Sequence, residues 1–466
     1  MRENIELDSH YTGTFKIIDE QIIGDLIYNK KDGIIILSLV KELTDKSFLG
    51  KSYGRISRIT GKLNSGAVVT LFNNQCTNNY THAFQSQKLI FRAEYMIWAK
   101  EEKLDLKFNK MTCILKNAYA WSGLSAFEDS ESGLGFKLKE TFEEKIYNWF
   151  GAKITFSTYL NHNLFGPPRD EETKIIQRLI VNIELDSKKE LNEFIIIRNK
   201  IISLLSFAIK NNINIEEEYL NDFDDSYIVE EKVVSYYKYY LMTSEGQLND
   251  LKTQPWNYNF SLNQLPTDKD INDELVKLEP IFNLYLSLFK YRDMPKEMIF
   301  LNIVQALETF HSRFFYDNKK EKYVEAVMER FGEFPDFEKF EKLLLCDTQK
   351  DENCHYIILV SRLNDLLIGE YNGLFYEYYW ENERYAQTIA DTRHYYTHYG
   401  KSKEEKALKG EELIEAIYIL RVLLEYHICL VLGIDNRDIV ARELSNHNSW
   451  KELGKMQSKN NSLNSK

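Results

Sequence analysis

The stretch Gln254-Pro255-Trp256-Asn257-Tyr258-Asn259-Phe260-Ser261-Leu262-Asn263-Gln264-Leu265-Pro266-Thr267-Asp268 separates two kinds of hydrophobic pattern. Its prolines and polar residues mark a boundary rather than an element. Before it, apolar residues fall in short β-branched runs closed by Asn, Asp and Gly, the mark of strands and turns. After it they recur every three or four residues, the mark of amphipathic helices. The expected fold class is therefore α+β and multidomain. A β-rich N-terminal domain spans residues 1–265, an all-α helical domain 270–445, and a disordered polar tail 446–466.

Working back from the boundary, Ile22–Tyr28 and Ile34–Leu37 flank the polar turn Asn29-Lys30-Lys31-Asp32-Gly33, which predicts a hairpin. Gly61 to Phe72 repeats the form around Asn64-Ser65-Gly66. Further β runs are expected at Lys88–Trp98, Met111–Leu115, Lys153–Tyr159, Lys174–Leu185 and Ser226–Tyr240. One helix interrupts them: Lys189–Lys210 carries Leu191, Phe194, Ile195, Ile201, Leu204, Leu205 and Ala208 at helical spacing. Working forward, helices are expected at Asp273–Phe289, Lys296–Tyr316, Lys320–Phe331, Asp336–Leu345, Tyr356–Ile368, Glu383–Tyr399 and Gly410–Leu432. Pro295 reads as the first residue inside a helix, and Gly433 as the residue after one.

Composition narrows the function classes. The 466 residues are 44% hydrophobic, enough for real cores, and no apolar run is long enough to cross a membrane as a helix. The N-terminus lacks a signal peptide's apolar stretch. Five cysteines show neither Cys-x-x-Cys nor zinc spacing, which points to a reducing cytoplasm. A net charge of −12 excludes a globally basic nucleic-acid binder, so any RNA contact must be a local patch.

The chemistry-bearing pattern is Arg-x(4–6)-His. It occurs three times, as Arg393/His398, Arg421/His427 and Arg442/His447, where about one chance match is expected. Arg421/His427 lies in an apolar helix where Arg421 can pair with Glu425, and Arg442/His447 falls where periodicity fades. Arg393/His398 sits at a helix end before Gly400, a good left-handed cap, with lysines following. Arginine presents a donor fork that matches phosphate, and imidazole suits proton transfer near neutral pH. Five residues turn about 140° around a helix, so the two do not face one phosphate from an undistorted one. Either the helix loosens at Thr397 or the pair lines opposite walls of a cleft. The structural alternative pairs Arg393 with Asp391 or Glu383 and makes His398 a cap.

Other candidates surround this pair. Glu308 and His311 sit three apart beside the stripe Ile303, Leu307, Phe310 and Phe314, either orienting groups on a neighbouring helix or making a semi-exposed pair. His394 and His398, with Asp391, have a metal-binding spacing, but Tyr395 stands where a zinc peptidase needs Glu. Lys401, Lys403 and Lys406, with Lys409, are the nearest positive charges and would hold flanking phosphates, unless they form an ordinary solvated loop. The aromatic run Phe375–Trp380 is core or a base-stacking platform.

The segment Asp391-Thr392-Arg393-His394-Tyr395-Tyr396-Thr397-His398-Tyr399 resembles the signature of HEPN domains of the ApeA-like anti-phage branch, Asp-Thr-Arg-polar-x-x-Thr-His-Tyr. Glu308 resembles the acidic position of an earlier HEPN helix. Ile59–Leu63 to Val69–Phe72 is similar to the β-rich domain that precedes HEPN there. His394 departs from the Asn that many HEPN nucleases carry after the arginine. The resemblance implies a HEPN helical bundle working as a homodimer: a metal-independent endoribonuclease with no cofactor, using Arg393, His398, His394 and Glu308. Its partners would be RNA, with tRNA one candidate, and a phage-derived trigger sensed by the β-rich domain. The alternative is a non-catalytic HEPN protein that binds RNA or nucleotides, or a ligand-sensing dimerisation protein.

Overall fold

A computed structural model describes residues 8–17, 20–42, 54–82, 86–101, 105–129, 135–161, 175–222, 226–229, 232–235, 239–244, 257–267, 269–291, 293–315, 358–368, 374–375, 378 and 384–447. The helices expected at 320–331 and 336–345, Cys346 and Cys354, most of the 375–380 aromatic run, the Gln254-Pro255-Trp256 start of the boundary and 448–466 of the tail lie outside them.

The chain divides into two compact units, and the division crosses the expected boundary. The first comprises 1–199 and 213–252; the second comprises 200–212 and 253–466.

In the first unit, β1 (Asp8–Ile17), β2 (Glu20–Asn29), β3 (Ile34–Glu42), β4 (Arg55–Leu63), β5 (Val68–His82) and β6 (Ser86–Arg92) pair antiparallel in the order β5-β4-β1-β2-β3-β6, and β6 returns to β5. The result is a closed six-stranded barrel, which leaves no free edge among these strands. Its inside follows from the period of two: Ile22, Leu26 and Tyr28 point in while Ile23 and Asp25 point out. Phe15, Leu37, Ile59, Val69, Leu71, Leu89 and Phe91 complete the core. Both expected hairpins are present, with Gly33 (φ 63°) and Gly66 (φ 91°) in the left-handed conformation their turns require. Gly61 has a different reason. It lies opposite Phe15, and a Cβ there would stand 2.3 Å from the Phe15 ring. The missing side chain lets the barrel fill its own interior.

A corner joins the barrel to a larger sheet. β5 pairs with β7 (Tyr95–Ala99) over Val68–Phe72 and with β6 over Gln75–His82. Between the two stretches Asn73 turns left-handed (φ 53°) and donates its side-chain amide to Glu94 at 2.8 Å. The buried Asn74 amide donates to Leu71 and Ile56 carbonyls at 3.0 and 3.1 Å. The run expected as one strand over Lys88–Trp98 is therefore two, broken at Ala93-Glu94 where β5 changes partner.

The sheet continues through β8 (Lys107–Leu115), β11 (Lys145–Trp149), β12 (Ala152–Asn161), β13 (Ile176–Glu190), β14 (Ile215–Asn221) and β17 (Tyr239–Thr243), in the order β7-β17-β14-β8-β13-β12-β11. A short helix α1 (Tyr119–Ser122) and two ribbons, β9 (Phe127–Asp129) with β10 (Phe136–Leu138) and β15 (Ser226–Val229) with β16 (Lys232–Ser235), decorate it. The first half of α2 (Leu191–Ile209) is anchored here by Arg198, whose guanidinium donates to both oxygens of buried Glu218 at 2.9 and 3.0 Å.

The second unit is helical: the end of α2, then α3 (Asn272–Lys290), α4 (Lys296–Phe314), α5 (Leu359–Ile368), α6 (Tyr385–His398), a single turn α7 (Lys401–Glu404) and α8 (Gly410–Val431), with a last helical stretch over 437–447. The tail expected from 446 therefore begins two residues later at the earliest. α4 is central and packs against α3, α5, α6 and α8. Its buried stripe is Phe300, Ile303, Val304, Leu307 and Phe310. Pro295 stands one residue before the helix rather than inside it, and its carbonyl accepts the first amides, from Met298 and Ile299. Gly433 takes φ 78° after α8, as its position implied. Phe207 at the end of α2 meets the rings of Phe260, Phe282 and Tyr285, so this turn of helix belongs to the helical core. Among the described residues no helix is long and apolar enough to cross a membrane.

Candidate active site on α6

Helix α6 forms because Tyr385, Ala386, Ile389, Thr392 and Tyr396 give it one buried face. Two hydroxyls on that face fix the segment that follows. Thr392 Oγ1 donates to the Thr388 carbonyl at 2.7 Å and accepts the Leu408 amide at 3.0 Å. Tyr396 donates its hydroxyl to the Leu408 carbonyl at 2.9 Å. Asp391, also buried, takes the Lys403 ammonium at 2.5 Å and the Gln387 amide at 3.0 Å.

His394 and His398 lie on the opposite, wetter face, and Arg393 lies on the flank of the buried one. Arg393 is half-buried and its Nη2 lies 3.7 Å from Glu308 Oε2 on α4. With the two side chains 35% and 28% exposed, such a pair contributes about 0–1 kcal/mol to stability, so its consequence is direction rather than strength. His394 and His398 are exposed and lie one turn apart, their rings tilted at 55° with centroids 4.9 Å apart. Thr397 Oγ1 donates back to the Arg393 carbonyl at 2.7 Å without interrupting the helix. The helix does not loosen at Thr397, so Arg393 and His398 remain at different angles on one rod.

Glu308 and His311 part company. Glu308 turns to α6, whereas His311 is fully buried and bonds Asp365 Oδ2 on α5 at 2.9 Å. Asp391 is engaged by Lys403 rather than by Arg393, and Glu383 lies outside the described residues. Of the lysines expected at flanking phosphates, Lys401 and Lys406 are exposed, while Lys403 is held by Asp391. Among the described residues no three His, Cys, Asp or Glu side chains gather as they would around a metal ion.

The helix ends one residue earlier than the glycine suggested. Tyr399, not Gly400, is left-handed (φ 50°, ψ 35°), and Gly400 is extended (φ −74°). A non-glycine residue there costs about 1 kcal/mol. Rings of Tyr395 and Tyr396, with centroids 5.4 and 6.3 Å away, pack on Tyr399.

The other two Arg/His matches are placed differently. Arg421 lies 3.5 Å from Glu425 and 3.8 Å from Glu443. His427 is buried and donates Nε2–H to the Leu366 carbonyl at 2.7 Å. His447 stacks on Tyr418 at 4.6 Å. Within the aromatic run, Phe375 and Tyr378 are buried, which is a core role.

Sequence reasoning missed Lys210. At the end of α2 it turns left-handed (φ 53°) and sets its ammonium 2.8 Å from Glu425, and also against Glu443. The Tyr285 hydroxyl donates to the same Glu425 at 2.5 Å. Burial alone would raise the Glu425 carboxyl, but Lys210, Arg421 and these hydrogen bonds together hold it below its ordinary value.

A family model described as ApeA N-terminal domain 1 matches residues 10–272, more than half of the chain. A second, described as Apea-like HEPN, matches residues 301–438, which contain every candidate on α4 and α6. No curated protein and no solved structure matches the chain.

Proposed function

The chain belongs to the ApeA-like HEPN family, and from that premise we propose that it is an endoribonuclease of an anti-phage defence system. The observation that carries the reading is that α6 presents exposed His394 and His398 one turn apart and, on its flank, half-buried Arg393 with its guanidinium 3.7 Å from Glu308. In this reading His398 removes the proton of a ribose 2′-OH, and the oxygen attacks the adjacent phosphate. Arg393 stabilises the added charge on the phosphoryl oxygens. His394 protonates the departing 5′-oxygen. The products are a 2′,3′-cyclic phosphate and a 5′-OH, and the base and acid return to their starting states in a later proton exchange with water. No step calls on a metal.

The fixed angle between Arg393 and His398 supports a two-fold dimer, in which the arginine of one copy and the histidine of the other meet one phosphate. Lys401 and Lys406 supply charge for the flanking phosphates. The N-terminal β-rich part, including the barrel, takes the role of sensor, and a trigger acts by binding the active arrangement more tightly than the resting one.

The test is RNA incubated with pure protein, with and without a chelator, followed by analysis of the new ends. Cyclic-phosphate and 5′-OH ends that persist in chelator and vanish in Arg393→Ala/His398→Ala support the reading. RNA bound but left intact would make this a non-catalytic HEPN module, and cleavage restored only by a divalent ion would overturn the mechanism.

A further inference from the structure

The most exposed large aromatic of the helical unit, among the described residues, is Tyr399, at 65% of its surface. It follows His398 directly and is held at φ 50° beside a glycine that would take that conformation without strain. Its ring makes edge-type contacts with those of Tyr395 and Tyr396, and the Lys409 ammonium lies 5.5 Å from the Tyr395 centroid. Lys401 and Lys406, both exposed, follow within seven residues of the ring. Glu404 and Glu405 share that segment, with Glu404 3.9 Å from Lys409.

We propose that Tyr399 is a stacking platform for an unpaired base beside the scissile phosphate. The proposal rests on the ribonuclease reading of α6 and deepens it. At the left-handed helix end the ring is mostly exposed, and its edge-type contacts with Tyr395 and Tyr396 leave apolar ring surface open to a ligand. A base has the complementary face, and stacking on tyrosine is tolerant of sequence. Lysines flanking the ring match the phosphates on either side of such a base. A duplex fits poorly, because its bases are already stacked and its edges, not its faces, are exposed. Stacking the base on the residue after His398 brings its ribose to the imidazole.

The experiment uses the full chain carrying His398→Ala, so that RNA survives, and measures binding of a labelled oligouridylate of about ten nucleotides, a length of one or two stacking sites. Tyr399→Gly removes the ring and relieves the positive φ, so the fold is not at risk; Tyr399→Phe keeps the ring. The glycine variant is expected to weaken binding about tenfold and the phenylalanine variant about twofold or less, with duplex RNA indifferent to both. Oligomeric mass is followed in parallel. The proposal is overturned if the parent does not bind the oligonucleotide, if glycine leaves its affinity unchanged, if phenylalanine loses as much as glycine, or if duplex binding falls equally. It is overturned also if the glycine variant loses affinity only by falling to a smaller oligomer, which would assign the ring to a second copy. Binding through Tyr399 without cleavage by the wild-type chain would remove the nuclease reading and keep the platform; cleavage indifferent to Tyr399 would do the reverse.

Discussion

Glu308 on α4 and Arg393 on α6 meet at 3.7 Å across two packed helices, although 85 positions separate them in the chain. The carboxylate lies beside Nη2 of the guanidinium, and the arginine side chain is partly exposed. Glu308→Gln keeps the shape and loses the charge, so cleavage is expected to fall about ten- to a hundredfold through misdirection of the arginine. Arg393→Ala should lose about 10²–10³-fold, and Arg393→Lys should be nearly as poor, because lysine lacks the planar fork. Single-turnover rates decide the matter. A Glu308→Gln loss as deep as that of Arg393→Ala would mean that Glu308 touches the RNA itself.

The two neighbouring histidines are separable by the leaving group. His398→Ala and His394→Ala are each expected to slow cleavage about 10²–10⁴-fold, the usual worth of a positioned acid or base. A substrate whose 5′-bridging oxygen is replaced by sulfur departs as thiolate and needs no proton. It should restore His394→Ala and leave His398→Ala slow. Rescue of both, or of neither, would withdraw the assignment of acid and base. His447→Ala is the inert control. His427→Ala is not, because its buried bond to the Leu366 carbonyl makes it a stability variant.

In the barrel, Gly61→Ala places a methyl on the Phe15 ring, and overpacking of this kind costs about 1–3 kcal/mol. Gly400→Ala, where a Cβ meets nothing within 4 Å and the backbone is extended, should be neutral. Chemical denaturation of the two variants checks the contrast; equal stabilities would place slack around Phe15 that the packing does not suggest.

These residues also show what the chain discloses locally. The turns at Gly33 and Gly66 and the α4 stripe are each written within about ten residues, and all were legible. The break at Ala93-Glu94 was not, because it is set by Asn73 on another strand, whose left-handed turn makes β5 change partner. At the site, Arg393 and His398 could be picked out by residue type and spacing. The contact between Glu308 and Arg393 depends on how α4 packs on α6, and spacing carries no such information. Gly400 drew the eye as a cap by its identity, but the ring cluster of Tyr395, Tyr396 and Tyr399 moves the left-handed turn one residue earlier.

The carboxyl of Glu425 gives the helical unit a dependence on acid. Its folded value lies below the ordinary one, so the stability it contributes is complete above the unfolded value and is lost as pH falls through the folded value. Denaturant midpoints should therefore decline below about pH 5, near the range where free glutamate titrates. Glu425→Gln should be less stable at neutral pH and show a shallower acid slope. An unchanged slope would place the acid sensitivity elsewhere.

The dependence on Lys210 bears on how the sensor idea must be tested. A fragment that starts at residue 270, where the helical pattern begins, omits the Lys200–Asn212 segment that packs in the helical unit. It leaves Glu425 buried without its ammonium, lacks Phe260 as well, and exposes the Phe282 and Tyr285 rings that Phe207 covers. Breaking one side of a buried pair costs about 3–5 kcal/mol, a large share of a domain's stability. Fragment 270–466 is expected to be poorly folded, and its harmlessness in cells would say nothing about restraint. Fusing residues 200–212 through a flexible linker to 253–466 restores the core. If the β-rich part restrains the nuclease, that fusion should be more toxic than the full chain, and Arg393→Ala should abolish the difference. A folded fusion that is harmless while the full chain cleaves RNA would mean that the β-rich part presents the substrate instead of withholding it.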